Sequence, residues 1–239
     1  MYMLYYKAFR KQIMIKNIIK KILGVFGKEL RGLDSPTRSF KSGLIKVKEN
    51  IENPRTIIDI GAASGTEDLY NVFKMKDYSY MLVEANPKWK ESLKVFSEAI
   101  IENVFCGEKD LEVEISDDGN KSSRYGNSGN KIKVPVKKLD DLIYKNNLEA
   151  PFFIKIDVEG SEIDVLKGAT ETLKKTEAII AEAWVVPRIK GTPKISDLVS
   201  FMLQHDFVIF DIVAGANDNK RYLRQVDLIF VKSTSKIFK

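Results

Sequence analysis

The chain has 239 residues, 44% hydrophobic and 30% charged, which suits one soluble α/β domain with a sizeable core. A single cysteine, Cys106, excludes an internal disulfide, and no cysteine–histidine cluster suggests zinc; nothing requires an oxidising compartment, so the expected location is the cytoplasm. The net charge of +6 does not argue for a nucleic-acid partner, because residues 1–31 hold eight basic residues and one acid while the remainder holds 31 and 32.

That basic head is interrupted by lysines too often to be a secretory signal or a membrane span. Ile15, Ile18, Ile19, Ile22 and Phe26 recur at helical spacing, with Lys16, Lys20 and Lys21 on other faces. Three readings stay open. The helix covers the body or a sister subunit, it lies as a peripheral anchor on an anionic membrane surface, or the segment is disordered. Residues 1–50 are therefore expected to form a helical extension and linker, and residues 51–239 the functional domain. The stretch LDSPTRSFKSG, residues 33–43, reads as the linker because Pro36 and Gly43 break it.

From Arg55 the pattern becomes regular. RTIIDI (55–60) and YSYMLV (78–83) are β-branched or aromatic runs, each closed by a glycine or an acid. A helix is expected from Gly65–Thr66, its start favoured by Glu67 and Asp68, and another from Pro87 to about Ala99. Ile100–Phe105 is a third strand. Leu111, Val113 and Ile115, then Ile132, Val134 and Val136, alternate with polar residues across a Ser/Gly/Asn-rich loop at 116–130, predicting an antiparallel excursion. A helix at 138–146 leads to the strand Phe152–Asp157, and one helix is expected from Ser161 to Lys174. Strand Glu177–Ala183, a helix at 195–204, and strands Val208–Val213 and Gln225–Val231 complete the chain. Strand–helix alternation predicts a Rossmann-like, doubly wound three-layer α/β sandwich. Its seven-stranded sheet is mostly parallel, with an antiparallel edge hairpin.

Ligands bind such sheets beyond the carboxyl ends of the strands. Residues just after the strands are Asp59 to Gly65, Glu84, Cys106–Gly107, Asp157 to Gly160, and Glu182. The first group turns through Gly-x-x-x-Gly, not the Gly-x-Gly-x-x-Gly of a nicotinamide site. It serves either as a ligand cradle or as a plain tight turn. Glu84, 23 residues after Gly61, is placed to accept hydrogen bonds from two ribose hydroxyls, or it is a solvated strand-end charge.

IIDIGAASGTED, YMLVEANPKW, VKKLDDLI and FFIKIDVEGSEIDVLKGATETL resemble, in order, the motifs of the FkbM-type methyltransferases, a class I S-adenosylmethionine-dependent family. The resemblance covers about residues 54–232 and implies the cofactor S-adenosyl-L-methionine. It places Gly61, Ala62 and Gly65 along the methionine portion, Asp59 near its amino group, Glu84 at the ribose, and Cys106 and Gly107 beside the adenine. The family usually has asparagine at the position of Ala63. It further implies O-methylation of a sugar, glycan or small-metabolite hydroxyl. A catalytically silent cofactor-binding module is the alternative, and a nicotinamide oxidoreductase is disfavoured by the glycine spacing.

The acids of KIDVEGSE remain to be assigned. Asp157 is expected to orient or deprotonate the acceptor hydroxyl, with Glu159 supporting it and Glu182 as a third candidate. Glu162 is expected in the first turn of the following helix. Alternatively the acids hold a divalent cation, or they tie the strand end to backbone amides and Lys155. Lys155, charged within a strand, must snorkel or pair with Asp157, Glu159 or Glu182. His205 reads as a surface or cap residue, and Trp89 and Trp184 as core or rim. The 116–130 loop either reads the acceptor or is a solvated connector. Oligomeric state is not legible.

Overall fold

Three strands are buried along their whole length: β1 (Thr56–Ile60), β8 (Phe152–Ile156) and β9 (Thr176–Trp184), apart from Glu177. Continuous apolar runs of this kind belong in the centre of a parallel sheet covered on both faces. The computed structural model describes residues 39–117, 122–125, 129–187, 191–218 and 222–238. The basic head, with its cover-helix and membrane readings, lies outside them.

The main sheet has the order β10-β11-β9-β8-β1-β2-β3, with β2 at Ser79–Val83, β3 at Ile100–Glu102, β10 at Phe207–Asp218 and β11 at Tyr222–Lys232. β1 pairs in parallel with both β2 and β8, so the chain winds outward on one side and then on the other. The gap where the winding reverses lies between the ends of β1 and β8. The expected antiparallel edge hairpin is present, formed by β10 and β11. β11 lies inside the sheet, antiparallel to both β9 and β10, and β10 is the edge.

A second sheet, β4-β7-β5-β6, is the predicted excursion: β4 (Phe105–Cys106), β5 (Leu111–Asp117), β6 (Ser122–Ser123) and β7 (Asn130–Lys137). Its inward residues Phe105, Ile115, Val134 and Val136 form a small core of their own.

Three helical expectations need correction. The stretch read as linker ends in helix α1 (Phe40–Asn50), whose N-cap Ser39 accepts a hydrogen bond from the Ser42 amide. Gly43 does not break this helix. A Cβ there would lie 2.5 Å from Val213 Cγ1 and 2.8 Å from Ile229 Cδ1, so glycine lets α1 lie close against the sheet. The boundary at residue 50 thus falls after a helix that packs on the domain. Beyond α2 (Glu67–Val72), the helix expected to Ala99 is only a 3-10 turn, Pro87–Trp89, and the short α3, Lys90–Leu93. Phe96 leaves the helical path to pack edge-on against Tyr70, with ring centroids 5.0 Å apart.

The predicted helix 138–146 is α4 (Leu139–Lys145). The single helix expected over 161–174 is broken into α5 (Glu162–Lys167) and α6 (Thr170–Lys174). Asp140 on α4 causes the break: its backbone amide takes the Gly168 carbonyl, and its carboxylate accepts the amides of Glu171 and Thr172. That carboxylate caps α6 from a neighbouring element. Helix α7 (Ile195–Gln204) ends at His205, whose ring stacks on Phe201, consistent with its cap reading. No helix among the described residues is long and apolar enough to cross a membrane.

Candidate active site

At the ends of β1, β2, β4 and β8 lies a cavity of about 250 Å³, lined by Gly61, Ala63, Glu84, Trp89, Phe105, Cys106, Ile115, Asp157 and Glu159 among others. β1 ends in a tight turn because the chain must clear β8. Gly61 has φ +77°, and a Cβ on it would fall 1.8 Å from the Asp157 carbonyl oxygen. No side chain fits there. The amides of Gly61 and Ala62 both donate to the Val83 carbonyl, which ties the turn to the end of β2. Ala63 is held at φ +46°, a left-handed conformation that suits asparagine better than alanine.

Glu84 is buried, with 6% of its surface exposed, and is not a solvated strand-end charge. One carboxylate oxygen accepts the Ala63 amide at 2.8 Å and the other the Asn86 amide at 2.7 Å. Burial pushes its carboxyl above the ordinary value; the two amides and Lys155 oppose that push. Each carboxylate oxygen keeps a second lone pair for a ligand. Next to it Trp89, Val104, Phe105, Cys106 and Ile115 make an apolar slot. Trp89 is thus rim, as expected. The Cys106 thiol is pushed up to about 12, by burial first and Glu102 second, so it packs rather than reacts.

The acid side of the cavity is organised around Lys155. Asp59 and Lys155 face each other across β1 and β8 in register. The ammonium lies 3.1 Å from Asp59 Oδ1 and 3.5 Å from Asp157 Oδ2, and donates to the Gly61 carbonyl at 3.3 Å. The Tyr70 hydroxyl donates to Asp59 Oδ2 at 2.7 Å. Burial alone would lower the lysine pKa; Asp59 and Asp157 outweigh it and hold the group above its ordinary value. Lys155 therefore pairs, as expected, with Asp157, but its closer partner is Asp59.

Asp157 is the exposed member, with 45% of its side chain accessible. Glu159 follows in a left-handed conformation, φ +50°, so the chain does not stay extended beyond the strand. Its carbonyl accepts the Ser123 hydroxyl at 2.9 Å, which ties the described part of the 116–130 loop to this side of the site. Carboxylate oxygens of Asp157, Glu159 and Glu182 lie within 4.8 Å of one another. Gln225 donates to Glu182. Glu162 opens α5 as expected, its carboxylate accepting the Gly160 amide at 3.0 Å, and burial pushes it up to about 7.

Four expected cofactor contacts are not on the cavity wall. Asp59 is fully buried, its two oxygens facing Tyr70 and Lys155. Ala62 is buried in the core on the other side of the turn. Gly65 faces Phe96, where a Cβ would lie 2.6 Å from the ring, and Gly107 presents its carbonyl to Gly168. One relevant acid was missed. Asp227 on β11 stands opposite Glu182 in register, and burial and the Asp157 charge push it up to about 6. The signal was present: an acid inside the apolar run VDLIFV carries the same desolvation cost that drew attention to Asp157.

The family model for the methyltransferase FkbM domain matches residues 59–209, more than half of the chain. No curated protein matches significantly. Among solved structures, precorrin-6y C5,15-methyltransferase from Geobacter metallireducens is 13% identical, with 80% of this chain and 87% of that one covered at a TM-score of 0.43. The M. capricolum protein TrmK, bound to S-adenosyl-homocysteine, is 11% identical over 82% and 70% of the two chains, TM-score 0.44. Magnesium protoporphyrin IX methyltransferase from Synechocystis PCC 6803, with bound SAM, is 9% identical over 80% and 76%, TM-score 0.43.

Proposed function

The chain belongs to the FkbM methyltransferase family, and on that premise we propose that it moves the methyl group of S-adenosyl-L-methionine to a hydroxyl of a sugar, glycan or small metabolite. The observation that carries this reading is the presence of Glu84 and Asp157 on one cavity, at the ends of β2 and β8.

The donor set fits the cofactor. Glu84, oriented by the Ala63 and Asn86 amides, offers its remaining lone pairs to the two ribose hydroxyls. The slot of Trp89, Val104, Phe105, Cys106 and Ile115 suits a flat base. When bound, S-adenosyl-L-methionine would supply a methyl carbon activated by its sulfonium sulfur, the sulfur leaving with the bonding pair as S-adenosylhomocysteine. The protein's tasks are then alignment and proton removal. Asp157, exposed at the cavity wall, takes the proton of the acceptor hydroxyl as the oxygen–methyl bond forms. Glu159, also on the cavity wall, supports the acceptor, and Glu182 stands buried beside both acids. The single buried thiol needs no oxidising compartment, and this reading keeps the enzyme in the cytoplasm.

Incubating the protein with methyl-labelled cofactor and a panel of sugars and small hydroxyl compounds, with and without a chelator, tests the proposal. Label transferred to an oxygen and insensitive to chelation supports it. Transfer lost on chelation and restored by Mg²⁺ would reassign the three acids to a cation. Cofactor binding with no transfer to any acceptor would favour a silent binding module.

A further inference from the structure

We infer that Lys155 is a positioning residue for methyl transfer, holding the Asp157 carboxylate at the cavity wall. The inference rests on the reading of Asp157 as proton acceptor. Stability does not explain a lysine here. Its side chain is 7% exposed in the middle of the sheet, between β1 and β9. A buried ion pair is often matched or bettered by apolar residues of similar volume. Asp59, fully buried and 3.1 Å away, already neutralises the ammonium, and the Tyr70 hydroxyl fixes Asp59 from the far side. The charge of the lysine is thus balanced without Asp157.

Yet the ammonium also lies 3.5 Å from Asp157 Oδ2. A continuous series of contacts, Tyr70–Asp59–Lys155–Asp157, therefore runs from α2 through β1 to the end of β8, and only its last member lines the cavity. Left alone, a half-exposed aspartate would sample several rotamers. Held through Oδ2, it keeps Oδ1 uncommitted among the described residues. The lysine retains its own proton throughout, because Asp59 and Asp157 together outweigh its burial.

Removing Lys155 alone would strand the charge of Asp59, so the test neutralises that charge first. Single-turnover rate, S-adenosylhomocysteine affinity and melting temperature are compared for Asp59→Asn, Asp59→Asn/Lys155→Met and Asp59→Asn/Lys155→Arg. Asp59→Asn/Lys155→Gln replaces the Met variant if that protein does not fold. The Met variant should turn over about 10- to 100-fold more slowly than Asp59→Asn, as expected for a displaced reacting group, at matched affinity and melting temperature. The Arg variant should recover much of the rate. Equal rates for Asp59→Asn and its Met variant overturn the inference. An Asp157→Asn protein run alongside separates the two levels. If it is slow while the Met variant is not, only the role of Lys155 fails. If Asp157→Asn keeps the full rate, the proton-acceptor reading fails and the inference with it.

Discussion

Replacing Glu84 with alanine tests whether the second strand end binds the cofactor. The side chain has two measurable attachments, the Ala63 amide at 2.8 Å and the Asn86 amide at 2.7 Å, and these pin both oxygens at the cavity wall. The proposed ribose contacts are charge-assisted hydrogen bonds, each worth roughly 1.5–3 kcal/mol. Losing two at the lower bound costs about 3 kcal/mol, and each 1.4 kcal/mol is tenfold, so affinity should fall by at least about a hundredfold. The change also frees two amides, one on the buried Asn86, so a modest fall in melting temperature is expected as well. Glu84→Gln separates the effects, since its amide oxygen still satisfies one of the two. Titration calorimetry with S-adenosylhomocysteine gives the affinity, and thermal melting reports the fold. Affinity should also weaken towards acid pH, because the carboxyl of the free protein sits above its ordinary value and loses its charge early. Unchanged affinity in Glu84→Ala would refute the cofactor placement.

Gly61→Ala should cost several kcal/mol, lowering the melting temperature by more than about 8 °C, because its Cβ would overlap the Asp157 carbonyl; a normal melt would show that the turn can yield. Ala63→Asn should raise the melting temperature by about 2–4 °C, by relieving roughly 1 kcal/mol of left-handed strain at φ +46°. Glu162, raised from 4.5 to about 7 by burial, is disfavoured as an anion in the fold. Its contribution to stability is full below pH 4.5 and is lost as pH rises through about 7, Asp227 adding a similar slope up to about 6. Glu162→Gln should therefore flatten the melting temperature between pH 5 and 7, and an unaltered slope would count against the buried assignment. Deleting residues 1–31 should leave S-adenosylhomocysteine affinity intact, since among the described residues every one that lines the cavity lies between Ile60 and Glu159; liposome co-sedimentation and light scattering of the truncated protein would report any membrane or oligomer role.

The parallel strands were legible because burial on both faces forces apolar runs, and Glu84 and Asp157 because an acid ending such a run demands a reason. Asp227 obeyed the same rule inside a strand instead of at its end. The Asp59–Lys155 pair was not legible. It depends on β1 and β8 being neighbours in register, although the two residues are nearly a hundred positions apart. Glycines were misread for a related reason: a sequence does not say which way the missing Cβ would face. Gly65 clears Phe96, and Gly43 clears Val213 and Ile229 within a helix that composition alone reads as linker, whereas Gly61, which clears a backbone carbonyl, lines the cavity as expected. The helix break at Gly168 has its cause in Asp140, an acid on a different element.

In the proposed reaction a methyl group passes to a hydroxyl whose proton goes to Asp157. Asp157→Asn keeps the side-chain shape and removes its charge. In single-turnover assays with an accepted hydroxyl compound, methyl transfer should fall by on the order of a hundredfold or more, while S-adenosylhomocysteine affinity and melting temperature hold. Transfer at the wild-type rate, or a collapse of affinity and melting temperature together, would contradict the claim and return this acid to the scaffold.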